Sequence, residues 1–155
     1  MARVDNYEQR FGGIGRLYTS EGLARLRQAH VCVIGIGGVG SWVVEALARS
    51  GVGQITMIDM DDICVTNINR QLPALSGNIG KLKTEVMAER VKLINPECVV
   101  NIIDDFISPD NQAKYLNRGY DYVIDAIDNV KTKAAMIAYC KRNKIKIITI
   151  GGAGG

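Results

Sequence analysis

The run Gly35-Ile36-Gly37-Gly38-Val39-Gly40-Ser41 joins an apolar, β-branched stretch at 30–36 to a helical stretch at 39–50. Glycine at a strand-to-helix junction permits a tight turn and lets an anionic ligand reach the backbone. The helix start adds unpaired N–H groups and a partial positive charge. A bare G-x-G-x-x-G is weak by itself, but here a second apolar run ends in Asp59, 19 residues past Gly40. An acid at that place is positioned for ribose hydroxyls. Gly35, Gly37, Gly38, Gly40 and Asp59 therefore imply a bound nucleotide. They do not choose between ATP and NAD, which share ribose and phosphates.

The remaining sequence repeats the same alternation. Apolar runs at 54–60, 98–103, 120–126 and 145–150 resemble the first and predict strands buried on both faces. Between them, 80–94, 108–116 and 129–143 predict helices. Met87, Val91 and Ile94 recur at helical spacing, Asn95-Pro96 ends that helix, and Ser108-Pro109 is expected to open the next one. Strand alternating with helix predicts a Rossmann-like, doubly wound, mainly parallel sheet with helices on both faces. Residues 61–79 are too long and polar for a simple crossover, which marks them as functional. The sequence stops directly after an apolar run, in the glycines at 151–155. The expectation is one nucleotide-binding domain over 1–155, truncated at its C-terminus and the N-terminal part of a longer protein.

Bulk properties narrow the class. A chain of 155 residues, 47% hydrophobic and 23% charged, is ordinary globular composition. No stretch approaches the roughly 18 uninterrupted apolar residues of a membrane helix, and the polar first ten residues lack a signal peptide's apolar core. Cys32, Cys64, Cys98 and Cys140 form no C-x-x-C pair, so reduced, mostly buried thiols in a cytoplasmic protein are expected. A net charge of +3 argues neither for DNA nor against an RNA substrate, and no basic, aromatic-interleaved stripe is visible. The single histidine, His30, reads as a strand-edge residue, Cys140 as a packed helical thiol and Trp42 as packing.

The residues after Asp59 favour ATP. Asp61, Asp62, Asn67, Arg70 and Gln71 form a polar loop that hydride transfer does not need. Cleavage of ATP does need it, because charge on the α-phosphate and on departing pyrophosphate must be offset. Arg70 offers a planar fork for phosphate oxygens, and Lys83 near the next helix start adds a point charge. Asp128, just past the 120–126 run, falls at the carboxyl edge of the sheet, where it is placed to position Mg2+ beside the phosphates. Asp125 reads as structural.

Together, Gly-x-Gly-Gly-x-Gly, Asp-x-Asp, Asn-x-x-Arg-Gln, Lys83 and Asp128-Asn129 resemble the superfamily of ubiquitin-activating enzymes and their bacterial relatives, the HesA/MoeB/ThiF adenylyltransferases. Longer stretches are similar to its branch that cyclises N6-threonylcarbamoyladenosine in tRNA. These are Arg10-Phe11-Gly12-Gly13 with Arg16-Leu17-Tyr18, then 35–42 (GIGGVGSW), 58–67 (IDMDDICVTN), 85–90 (EVMAER), 94–98 (INPEC), 122–128 (YVIDAID) and 137–144 (IAYCKRNK). Leu72-Pro73 departs from the family's Ile-His after Arg-Gln.

The resemblance implies ATP-dependent cyclodehydration of that tRNA base through adenylation of its threonyl carboxylate. The glycine loop would hold phosphates, Asp59 and Asp61 would serve the nucleotide, and Asn67 would orient it. Arg70 and Lys83 would neutralise phosphate charge, and Asp128 would position Mg2+. It further implies a homodimer, an arginine from the second copy (Arg16 or Arg10) reaching ATP, and a sulfur-transfer protein as a partner. Two alternatives stay open, adenylation of the C-terminus of a ubiquitin-like sulfur carrier and an NAD-dependent oxidoreductase. A third reading, a nucleotide-binding module without turnover, is the expectation for the 155 residues taken alone, because the substrate half is absent.

Overall fold

The computed structural model describes residues 6–151, so Gly152-Ala153-Gly154-Gly155 lies outside the described residues. The elements in chain order are α1 (Tyr7–Gln28), β1 (His30–Ile34), α2 (Gly40–Arg49), β2 (Gln54–Ile58), α3 (Lys83–Ile94), β3 (Val99–Ile103), α4 (Gln112–Leu116), β4 (Tyr122–Asp125), α5 (Val130–Arg142) and β5 (Ile147–Thr149). All strand pairs are parallel, in the order β3-β2-β1-β4-β5. The chain winds outward from β1 first towards β3 and then towards β5, which is the doubly wound fold expected. The crevice between the carboxyl ends of β1 and β4 is its switch point.

Side-chain alternation sorts the core into two layers. Val31, Val33, Ile55, Met57 and Ile124 face α2 and α3, packing against Val44, Ala48, Met87 and Val91. Their neighbours Cys32, Ile34, Ile58 and Val123 face α4 and α5, against Tyr115, Leu116, Met136 and Cys140. Both sides of β1 and β2 are thus buried, which explains their lack of polar alternation. β3 and β5 are edge strands, with Val99 and Ile148 about half exposed. The expectation of two buried faces for these outer runs is corrected: their apolar character outlasts their burial.

Two local expectations also differ. Ser108-Pro109 does not open α4. Asn111 turns back instead, its Oδ1 accepting the Ser108 N–H at 2.8 Å and its Nδ2 donating to the Phe106 carbonyl at 2.7 Å, so the helix begins only at Gln112. α1 was not anticipated. Gly12, Gly13 and Gly15 mask it, and only Tyr7, Phe11 and Leu23 of its residues are buried. The Tyr7 and Phe11 rings meet tilted at 51° with centroids 4.8 Å apart, and the Tyr7 hydroxyl donates to the Gly51 carbonyl at 2.6 Å, docking α1 beside the end of α3. Thr19 interrupts α1 at φ 70°, ψ 166°, a conformation that favours glycine.

The thiols follow their burial. Cys32, Cys98 and Cys140 are buried and Cys64 is exposed, all free. Burial pushes Cys32 up to about 12 and Cys98 up to about 11, so both stay protonated. Among the described residues no helix is long and apolar enough to cross a membrane. His30 opens β1 half-buried, its Nε2 2.7 Å from Thr56 Oγ1.

Two packing details carry predictions. Glu45 of α2 accepts from Arg90 of α3 at 2.6 and 2.9 Å and from Arg49 at 3.1 Å. The Arg90 hydrogen bonds hold its carboxyl below the usual range despite burial. A depressed pKa stabilises the fold above the unfolded value and loses that contribution as pH falls through the folded one. Glu45→Gln should therefore lose about 1 kcal/mol near pH 7, the figure allowing for screening at the exposed guanidiniums. Thermal melts should find the difference from the parent shrinking below about pH 4. Gly40 begins α2 so close to β1 that a Cβ there would sit 1.6 Å from the Gly35 carbonyl oxygen. Gly40→Ala should cost roughly 3 kcal/mol or more by chemical denaturation, whereas Gly77→Ala, with open space around it, should cost little.

Candidate functional site

The segments leaving the carboxyl ends of all five strands line a cleft of about 830 Å³. Gly35, Gly37, Gly38, Asp59, Asp61, Asn67, Arg70, Lys83 and Asp128 all line it. Residues up to 93 positions apart in the sequence thus meet at the switch point.

The glycine loop forms the first wall. Gly35 has φ +87°, and a Cβ on it would press within 3.0 Å of the Ala126 carbonyl oxygen, so β1 and β4 exit in contact. Asp59, at the end of β2, is buried and accepts the Ile36 N–H at 2.7 Å through Oδ2 and the Asp61 N–H at 2.8 Å through Oδ1. A carboxylate has about four acceptor sites, so two remain for ligand hydroxyls. Gly40 lies outside the lining, and its requirement for glycine comes from the close packing of α2 on β1.

The second wall comes from the polar loop at 61–79. A short 3-10 turn, Val65–Asn67, leads into backbone bonds from Arg70 and Gln71 to the Asn67 carbonyl. This local helicity brings Asn67, Arg70 and Gln71 to one side at i, i+3 and i+4 spacing. Asn67 is buried, its Oδ1 held by the Cys64 N–H at 2.9 Å. The Arg70 side chain lies across Gly38, where a Cβ would come within 3.1 Å of its Cγ. Its Nη1 donates to the Thr66 carbonyl at 3.3 Å and Asn69 Oδ1 at 3.0 Å, leaving donors of the guanidinium for a ligand. Lys83 is buried at the first position of α3, its Nζ 3.7 Å from Asp61 Oδ2. Asp61 therefore aims the lysine rather than standing alone in the cleft.

Asp128 is exposed at the rim on the loop after β4. Behind it, Asp125 is fully buried and pairs with Lys133 at 2.6 Å, and the same ammonium donates to the Ile150 carbonyl at 2.9 Å. Asn129 caps α5, its Oδ1 accepting the Thr132 N–H at 2.9 Å. Among the described residues no group of three or more His, Cys, Asp or Glu could hold a metal unaided. One rim carboxylate beside a phosphate cleft fits Mg2+, which commonly keeps waters and takes one or two carboxylates together with substrate phosphates.

Sequence reasoning missed several contributors. Gln71 is buried in the lining and its Oε1 has no hydrogen-bond partner, an orphan that a ligand would satisfy. Its place beside Arg70 was the available signal. Phe106 and Ile107, just past β3, give the cleft an apolar surface. Trp42 is about half exposed, and its indole N–H donates to the Arg70 carbonyl at 2.9 Å, which corrects the reading of Trp42 as mere packing. The chain's own fold does not bring Arg16 or Arg10 into the cleft. Arg16 is exposed on α1. Arg10 donates to the Leu93 and Ile94 carbonyls at 3.3 and 3.2 Å, at the end of α3 remote from Lys83.

Comparison with known proteins places this geometry. A tRNA threonylcarbamoyladenosine dehydratase of Haemophilus influenzae is 87% identical over 155 residues, covering 100% of this chain and 59% of that protein. The crystal structure of the Escherichia coli tRNA N6-threonylcarbamoyladenosine dehydratase in complex with ATP superposes with a TM-score of 0.95 at 61% identity, covering 100% of this chain and 64% of that one. A molybdopterin-synthase adenylyltransferase of Salmonella typhimurium is 31% identical over 134 residues, 86% of this chain and 53% of that protein. The chain thus spans less than two thirds of the length of each of these relatives. The model of the ThiF family matches residues 13–155, and the chain belongs to that family.

Proposed function

We propose that this chain is the adenylating part of an enzyme that cyclises N6-threonylcarbamoyladenosine in tRNA, with ATP as co-substrate. The observation that carries the reading is the convergence of Arg70 and Lys83 on the glycine loop, with Asp128 at the rim of the same cleft. The naming of the 87% identical relative supports the acceptor, and the ATP complex of the 61% identical one supports the nucleotide.

The chemistry follows from the donor set. The ATP phosphates lie along Gly35, Gly37 and Gly38 at the start of α2, and Asp59 takes the ribose hydroxyls. Asn67 and Gln71 orient the nucleotide. An oxygen of the threonyl carboxylate attacks the α-phosphorus, the bond to the bridging oxygen breaks, and pyrophosphate leaves. Arg70 and Lys83 offset the charge that builds on both phosphate groups. A nitrogen of the same substituent then attacks the acyl carbon, AMP departs and the ring closes, with net loss of water from the substrate. No protein nucleophile is required. Asp128 would hold Mg2+, whose charge would supplement the two cations.

An arginine of a second copy, Arg16 or Arg10, completes the cleft in a homodimer; the chain's own Arg16 and Arg10 both stay outside it. A sulfur-transfer protein is a further partner. Setting is cytoplasmic, in keeping with four free thiols. The sulfur-carrier reading shares the phosphate chemistry but is supported only by relatives near 31% identity.

In the full-length protein, Asp128→Ala should fold normally yet lose roughly 100-fold or more of ATP-dependent ring closure, followed by mass spectrometry of tRNA nucleosides. Undiminished closure in that variant removes Asp128 from the reading, and cyclised nucleoside persisting in cells that lack the protein removes the dehydratase itself. Calorimetric titration should find ATP with Mg2+ bound and NAD not; selective NAD binding overturns adenylation.

A further inference from the structure

Charge is unevenly divided along this chain. Residues 1–110 hold 11 Lys and Arg against 13 Asp and Glu, a balance of −2, while residues 111–155 hold 8 against 3, a balance of +5. The second set exceeds the whole protein's +3.

The fold concentrates that excess. Lys114 and Arg118 flank the Tyr115 ring at 5.3 and 5.5 Å, and Arg118 Nε donates to the Lys114 carbonyl. Asn117 Nδ2 bonds the Tyr139 hydroxyl, joining this corner to the last turns of α5, which carry Lys141 and Arg142. Lys144 follows in the turn, and Lys146 lies over the Tyr122 ring at 5.4 Å while its carbonyl accepts the Val123 N–H. All six cations are exposed; Arg118, Lys141, Arg142, Lys144 and Lys146 gather where β4 and β5 begin, the end of the sheet opposite the nucleotide cleft, and Lys114 stands midway along α4 beside them.

Two observations separate this face from an ordinary solvated surface. Cations elsewhere are repeatedly paired: Arg25 with Glu21, Arg27 with Glu97, Arg49 and Arg90 with Glu45, Lys83 with Asp61. Among the described residues none of these six is in an ion pair. Of the nearby acids, Asp121 accepts the His30 N–H at 2.7 Å, and Asp105 accepts the Tyr115 hydroxyl at 2.5 Å and is held below the usual carboxylate range by that bond first and by Lys114 to a smaller extent. Lys144 also adopts φ +56°, a left-handed helix exit where glycine or asparagine is favoured, so a charged side chain stands where the backbone would rather have none.

We infer that this face, built from Lys114, Arg118, Lys141, Arg142, Lys144 and Lys146 with Tyr122 among them, docks the phosphate backbone of the RNA substrate. The inference rests on the tRNA reading above and adds where the RNA is held. Unpaired cations release counterions on meeting a phosphate chain, and a half-exposed tyrosine beside a lysine suits a base or ribose at the margin. A folded RNA is long enough to touch this end of the sheet while one base enters a cleft at the other, because α5 between them is only about 20 Å long.

The test uses a tRNA transcript and the quadruple variant Arg118→Gln, Lys141→Gln, Lys144→Gln and Lys146→Gln. Its tRNA affinity should fall at least roughly tenfold near physiological salt, and the slope of log K against log salt should flatten by about 3. ATP affinity, read separately by calorimetry, should be unchanged, which certifies the fold. Unaltered tRNA affinity and slope overturn the docking face and leave the dehydratase reading standing. The proposal also falls if the substitutions release the chain from phosphatidylglycerol vesicles yet leave tRNA binding intact. The dehydratase reading is judged apart from this, by cyclised nucleoside formed by the unsubstituted protein.

Discussion

The arrangement of the cleft depends on one buried carboxylate. Asp59 accepts an N–H from the glycine loop and another from its own strand exit, at 2.7 and 2.8 Å. It therefore ties the loop after β1 to the loop after β2. The first carries the glycines, and the second leads through Asp61 to Asn67, Arg70 and Lys83. Charge-assisted hydrogen bonds to backbone amides are short and directional, so two otherwise independent loops share one anchor. Above it, α2 extends the same fastening. Ser41 Oγ accepts the Leu72 N–H at 3.3 Å and donates to the Gly37 carbonyl, while Trp42 holds the Arg70 carbonyl. The departure from Ile-His at Leu72-Pro73 falls inside this fastening and leaves it whole.

Much of this was legible because it is local. Glycines at a strand exit, an acid closing the next strand and an Asn-x-x-Arg-Gln turn are short-range patterns with a steric or electrostatic reason at each position. The inner strands were equally plain, since burial on both faces erases polar alternation. The outer strands β3 and β5 misled for the complementary reason: an edge strand can keep β-branched residues while exposing them. α1 stayed hidden because a helix anchored by Tyr7 and Phe11 and threaded with glycines has little periodicity to detect.

Other features needed three dimensions. Trp42 looked like packing because indole usually packs, and only its distance to the Arg70 carbonyl reveals another use. Gln71 was quoted inside a motif, but its orphaned oxygen is a property of the folded cleft. The basic face is the clearest case. Lys141, Arg142, Lys144 and Lys146 do crowd together in sequence, but Lys114 and Arg118 come from an earlier helix and turn, and the absence of ion pairs around all six is invisible in linear sequence. Arg16 marks the opposite outcome: a motif residue that one chain leaves outside its own site.

The Asp125–Lys133 pair has a consequence beyond its own geometry. One ammonium binds the end of β4, the body of α5 and the Ile150 carbonyl past β5, so three segments move as a single piece. The loop bearing Asp128 is strung between two of them. Its conformational freedom is surrendered when the chain folds, before any ligand arrives. Nucleotide association then bears little entropic penalty for ordering that rim, and affinity there reflects contact strength rather than the cost of immobilising a loop.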